Sequence, residues 1–154
     1  MTWLEKIISG GQTGADRAAL CWAIEHQVPH GGWCPLGRAA EDGAILKRFD
    51  LEETPSEGYA QRTEWNVRDS DATVIFSISR TLTGGSKLTE DLARKWKRPF
   101  LHLSLNGSEN AAQILNDFLD QYFIRTLNIA GPRDSTEPGI GDFVQEVLSE
   151  AYDT

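Results

Sequence analysis

The chain has 154 residues, 40% of them hydrophobic and 25% charged, with a formal net charge of −8. These proportions are those of an ordinary soluble globular protein, and the length suits one domain over residues 1–154 with a core of its own. The acidic balance provides no field to draw in a polyanion, which argues against bulk binding of nucleic acid or an anionic membrane surface.

Only two cysteines are present, Cys21 and Cys34, too few for a disulfide scaffold. Cys21 falls in an apolar helical pattern and is expected in the core, whereas Cys34 beside Pro35 is expected to be exposed. No signal peptide pattern precedes the first strand, and no apolar run is long enough to span a bilayer. The expected location is the cytoplasm.

In chain order, residues 6–9 read as a short buried strand that runs directly into Gly10-Gly11-Gln12-Thr13-Gly14. Apolar residues from Ala15 to Ile24 recur at helical spacing, and Pro29 with Gly31-Gly32 closes that helix. A second strand is expected within 28–33, followed by a turn at Pro35-Leu36-Gly37. Residues 38–50 read as a loop or one short helix, 51–55 as a marginal edge strand, and 57–69 as a helix. ATVIFS at 72–77 is the clearest strand, apolar and β-branched. A helix after Thr83-Gly84-Gly85-Ser86-Lys87 ends before Pro99, and a strand at 100–105 follows. The remainder reads as an amphipathic helix over 109–123, a last strand at 126–130, and a final helix from about Gly141.

Strands alternating with helices predict an α/β fold: a Rossmann-like three-layer sandwich with a mainly parallel sheet and helices on both faces. Ligands of such sheets bind outside the carboxyl ends of the strands. Loops 10–16, 80–89 and 131–141 each follow a strong strand directly, so all three open on that edge. They are rich in Gly, Ser and Thr, and Arg17, Arg80, Lys87 and Arg133 lie in or beside them.

That convergence predicts a site for a phosphate-bearing small molecule. Backbone N–H groups of Gly10, Gly11, Gly14, Gly84 and Gly85 would wrap the phosphate with the hydroxyls of Thr13, Ser86 and Ser135, and Lys87 and Arg133 would supply charge. The first loop has no P-loop lysine, and it keeps only part of the dinucleotide-binding glycine spacing. His26, His30 and Cys34 do not make a metal site, because Pro29 breaks their alignment and no fourth ligand is evident. No catalytic nucleophile stands out, and Glu64, Glu90 and Asp91 are as readily helix-surface carboxylates. Arg62, Thr63 and Asn66 lie within one helical turn of each other and either present a polar cluster to a ligand or simply cover the surface, while Arg38, Arg62 and Arg80 are candidates for reading the rest of the ligand.

Four ordered motifs carry a family resemblance: IISGGQTGADRAAL from Ile7; Tyr59-x-x-Arg62-Thr63-x-x-Asn66-Val67-x-x-Ser70-Asp71-Ala72-Thr73; Thr83-Gly84-Gly85; and Ala130-Gly131-Pro132-Arg133-x-Ser135. Together they resemble the molybdenum carrier family over nearly the whole chain. The resemblance implies a Rossmann-like fold related to the LOG (lysine-decarboxylase-like) and DprA-type nucleotide-binding proteins. It also implies a non-catalytic carrier that holds molybdenum cofactor by its pterin phosphate, protects it and hands it on. Biosynthetic or acceptor enzymes for that cofactor are the implied partners, and a homo-oligomer, dimer or tetramer, is the implied assembly.

The LOG-type phosphoribohydrolases, which cleave a nucleoside monophosphate with a PGGxGTxxE loop, are the alternative, with a non-catalytic nucleotide-sensing module as a third. Where those hydrolases have the third glycine, the threonine and the glutamate, this chain has Lys87, Leu88 and Asp91. The paired glycines remain, and the hydrolytic signature does not.

Overall fold

A computed structural model describes residues 3–153. The elements run β1 (Lys6–Ile8), α1 (Ala15–Glu25), β2 (His30–Gly31), β3 (Trp33–Cys34), β4 (Ala39–Ala40), β5 (Gly43–Ala44), β6 (Glu52–Glu53), α2 (Tyr59–Arg68), β7 (Ala72–Ser77), α3 (Gly84–Lys95), β8 (Phe100–Ser104), α4 (Ala111–Gln121), β9 (Thr126–Ala130) and α5 (Ile140–Tyr152). Five strands form the central sheet in the order β2-β1-β9-β7-β8. Every pairing in it is parallel, with Ile8 opposite Asn128 and Val74 opposite Ile129.

The last strand therefore lies in the middle, between β1 and β7. Counting from β9 as though it came first, the order is 3-2-1-4-5, the first five positions of the doubly wound dinucleotide fold. The chain is thus wound as a doubly wound sheet whose first βα unit has been moved to its end. The two ends of the described chain meet accordingly, the Trp3 and Tyr152 rings lying 5.2 Å apart and both also touching Trp22.

The pleat divides the sheet into two unlike faces. Ile7, Ala72, Val74, Phe76, Leu103, Leu127 and Ile129 all point to one side. There they form the main core with Trp22 of α1, Leu115 and Phe118 of α4, and Phe143 and Leu148 of α5. The other side carries Thr73, Ser77, His102 and Asn128, and right-handed crossovers put α2 and α3 over it. A polar sheet face beneath two helices is where a cleft forms.

Residues 32–58 depart in part from the expected reading, although the expected turn at 35–37 and the edge strand within 51–55, here β6, are both present. Gly32, at φ +126°, ends β2, so the expected second strand splits. Its second half pairs with β6 in a separate two-stranded sheet. Instead of a short helix, 38–50 contains the β4–β5 hairpin and a loop wrapped around Arg38, whose guanidinium donates to the carbonyls of Ile45, Leu46, Phe49 and Leu51. This excursion folds over Cys34 and reverses the expectation for the two cysteines. Cys34 is fully buried with Leu20, Ile45, Phe49 and Leu51, while Cys21 is half-buried and its Sγ accepts from Arg48.

The carboxyl edge of the sheet is held tight by glycine. Gly14, at φ +80°, caps α1 where a side chain would strike the Pro132 carbonyl oxygen. A side chain at Gly131 would strike the Phe76 carbonyl oxygen and the Ala15 methyl group. The loops after β1, β7 and β9 can approach this closely only because those two positions carry no Cβ.

Two predictions follow from this packing. Gly14→Ala should lower unfolding stability in urea by about 2 kcal/mol or more, through the strained φ and the clash. A permutant with residue 153 joined to residue 3 by a short linker, and opened between Phe123 and Ile124, should fold with a cooperative thermal transition by circular dichroism. An unfolded permutant would contradict the winding described above.

Candidate ligand-binding cleft

A cleft of about 530 Å³ lies outside the carboxyl ends of β9 and β7, between the three loops, α2 and the start of α3. This is the topological switch point of the sheet. Of the residues expected to form the site, Gly10, Thr83, Gly84, Gly85, Ser86 and Arg133 line it. Thr13 and Gly14 line a second depression of about 430 Å³ beside Arg17 and Asp42, on the other side of the first loop. Gly11, Lys87 and Ser135 line neither.

At one end of the cleft α3 begins. Thr83 is extended and its side chain makes no capping bond, so the first-turn N–H groups have no partner from a cap. Gly84 and Gly85 have open space where a Cβ would stand. A twelve-residue helix thus turns its positive end and bare backbone toward the cleft. Lys87 does not reach that point. Its ammonium is 2.7 Å from Glu90 and 3.2 Å from Asp91, one turn further along the exposed side of the helix.

The cations that line the cleft are Arg62 and Arg133. Arg62 is buried and committed: Nη1 donates to the Gly10 carbonyl at 2.8 Å and lies 3.5 Å from Asp16 Oδ2. Arg133 makes no salt bridge among the described residues, and its guanidinium lies 5.4 Å from the centre of the Tyr59 ring. Its charge also acts on the Glu41 carboxylate, but of the two cleft cations it is the one without a salt bridge among the described residues.

The buried side of the cleft is polar. Burial pushes the Asp16 carboxyl above its ordinary value, opposed by the Arg62 charge and the Gln12 N–H. Two buried donors here, Gln12 Nε2 and Arg62 Nε, have no acceptor among the described residues. Asn128 donates to Thr73 at 3.2 Å. Ser77 Oγ donates to the Ser79 carbonyl at 2.6 Å. Its one proton so spent, it must accept from His102 Nε2, also at 2.6 Å. His102 is thereby fixed as the Nε2–H tautomer, and burial lowers its proton affinity. Glu137 accepts from the N–H groups of Ile78 and Ser79 at 3.1 and 2.9 Å, tying the loop after β9 to the loop after β7.

Thr13 and Ser135, expected to donate to a phosphate, already hold a carboxylate. Glu41, at the tip of the β4–β5 hairpin, accepts from both hydroxyls, the Ser135 bond being 2.5 Å long. These hydroxyls hold the Glu41 carboxyl below the usual carboxylate range. Next to it, Asp42 pairs with Arg17, which also donates to the Gly11 carbonyl. The far side of the first loop therefore clasps the hairpin. Arg38 and Arg80, expected to read a ligand, donate to backbone carbonyls instead.

Sequence reasoning singled out neither Glu41 nor the Asp16–Arg62 pair, and it quoted Tyr59 only within a motif. A lone acidic residue on a hairpin tip carries no local signal. Tyr59 and Arg62, three apart at the start of a helix, were the available hint.

Residues 7–152 match the model of the circularly permutated YpsA SLOG family. The crystal structure of a protein from Syntrophus aciditrophicus SB, named a putative molybdenum carrier protein, superposes with a TM-score of 0.94 at 47% identity, covering 96% of this chain and 94% of that one. No curated protein matches the chain. A circular permutation, as in the family's description, accords with the sheet, where β9 takes the place of a first strand. The chain belongs to the circularly permutated YpsA SLOG family.

Proposed function

We propose that this protein binds a phosphorylated heterocycle in the cleft at the switch point and acts as a carrier for molybdenum cofactor, protecting it and passing it on. The observation that carries the reading is the bare N-terminus of α3 and the unpaired Arg133 lining the same cleft. Together they suit a phosphate: backbone N–H groups at the positive end of a helix, and a guanidinium to complete the charge. The name of the Syntrophus aciditrophicus protein supports molybdenum cofactor as the cargo. A volume of about 530 Å³ is in the range of small-molecule sites.

In this reading Gly84, Gly85 and Ser86 donate to the phosphate with Thr83 beside them, and Gly10 forms the facing wall. Gly11, Thr13, Gly14 and Ser135 shape the first loop and its hold on the hairpin. The cargo brings its own dithiolene ligands for molybdenum, so the protein's task is to hold phosphate and ring. Carriage is favoured over hydrolysis by the state of Asp91, which stands where the LOG-type hydrolases have their glutamate but is paired with Lys87 on the exposed side of α3 and does not line the cleft. Transfer to acceptor enzymes and a dimeric or tetrameric assembly belong to the same reading.

Mass spectrometry of the small molecule that co-purifies under anaerobic conditions should identify a phosphorylated pterin. Calorimetric titration with AMP, as a stable phosphate-bearing probe, tests the site itself. Arg133→Ala should weaken binding roughly ten-fold or more, the value of a charge-assisted contact. Lys87→Ala should change it by less than about two-fold, since an exposed, already paired lysine contributes little. Unchanged affinity in Arg133→Ala would overturn the placement of the phosphate, and release of adenine from AMP would overturn the carrier reading in favour of hydrolysis.

A further inference from the structure

The cradle at α3 accounts for a phosphate but not for the group attached to it. Among the described residues Tyr59 is the one aromatic side chain lining the cleft. It is the first residue of α2, and 39% of it is exposed. The other aromatic residue of that helix, Trp65, is already engaged, edge-on to Trp33 at 4.8 Å with Arg68 over its face. The Tyr59 ring has guanidinium neighbours instead: Arg62 at 5.3 Å and Arg133 at 5.4 Å from its centre.

These two cations are not equivalent. Arg62 is anchored by the Gly10 carbonyl and Asp16, so it holds Tyr59 in place. Arg133 has no such anchor and rests on the ring by cation–π attraction, which is weak at an exposed position. A ligand carrying both a negative phosphate and a flat π-system offers each partner something better. The phosphate takes the guanidinium as a charge-assisted pair, and the vacated ring takes the flat face of the heterocycle. The backbone at Tyr59 is held ready, because its carbonyl accepts from Thr63 Oγ1 at 2.9 Å. Leu82, Leu88 and Pro132 add apolar lining to the same cleft.

We infer that Tyr59 is the stacking platform for the ligand's ring, and that the site is selective for a fused nitrogen heterocycle with a flat pyrimidine ring, purine or pterin, joined to a phosphate. Arg133 exchanges the Tyr59 ring for that phosphate when the ligand enters. This rests on the phosphate placement proposed above and adds what recognises the other end of the molecule. Tyr59 is a specificity-determining contact, and no covalent step is involved.

The test is calorimetric titration of AMP, a phosphorylated oxidised pterin and ribose 5-phosphate into the full chain and its Tyr59→Phe and Tyr59→Leu variants. The exposed position of Tyr59 leaves thermal unfolding of both variants as the control for folding. Tyr59→Leu should weaken both ring-bearing ligands about ten-fold, the order of one lost base–aromatic stack, and leave ribose 5-phosphate within about two-fold. Tyr59→Phe should retain the affinity. Bound AMP should show hypochromism in the parent protein and lose it in Tyr59→Leu. Equal AMP affinity in Tyr59→Leu and parent would overturn the inference, as would an equal loss for AMP and ribose 5-phosphate. If the unaltered protein binds none of the three, the phosphate reading fails and takes the inference with it. Binding of all three without dependence on Tyr59 leaves the phosphate reading standing and ends the inference alone.

Discussion

The structure depends on β9 being hydrogen-bonded between β1 and β7. A strand in the middle of a parallel sheet is paired on both edges, and its two inward residues on the apolar face, Leu127 and Ile129, are fully buried. Because it enters last, the sheet has no continuous centre until residues 126–130 are in place. Its position also fixes the switch point, since the chain leads outward to β2 on one side and to β8 on the other. The crevice that results holds the loop after β9 against the loops after β1 and β7. The close approach at Gly14 and Gly131 is the local condition for that contact.

The two sheet faces then divide the work. The apolar side is covered by α1, α4 and α5 and supplies the cohesive core. The polar side gives up some hydrophobic burial to set Thr73, Ser77, His102 and Asn128 beneath the cleft, each satisfied by a neighbour where the hydrogen bonds are visible. Buried polar groups of this kind are costly unless paired, and here they lie at the sheet edge where open α/β sheets take ligands. Arg62 links α2 to the first loop, and Glu137 links the loops after β7 and β9. The cleft is thus pre-formed by contacts within the chain, which lowers the ordering cost of taking up a ligand.

The main sheet was legible in the sequence because its strands are short apolar runs bounded by glycine, and its helices repeat at helical spacing. ATVIFS became a fully buried strand, and 126–130 became the central one. The place of the last strand in the middle was not legible, since strand order depends on long-range pairing that no local pattern encodes. Within the excursion from 32 to 58 the turn at 35–37 and the strand at 51–55 were legible, but the β4–β5 hairpin and the split of the second strand were not, for a related reason. The shape of the excursion is set by Arg38 gathering four carbonyls and by Glu41 docking on Thr13 and Ser135, contacts between distant residues of low propensity. Charge near a glycine loop was an unreliable guide to the site. Lys87 lies two residues after the paired glycines yet points along the helix to Glu90 and Asp91, whereas Arg133 enters from another loop.

The central claim is that phosphate is held by the first turn of α3. Backbone amide resonances report on it directly, in a titration of ¹⁵N-labelled protein with AMP and, separately, with inorganic phosphate. The account predicts that Gly84, Gly85 and Ser86 shift with both titrants while residues beside the second depression, such as Gly139 and Gly141, stay in place. Saturable shifts centred on Gly139 and Gly141, with Gly84 to Ser86 unmoved, would contradict it.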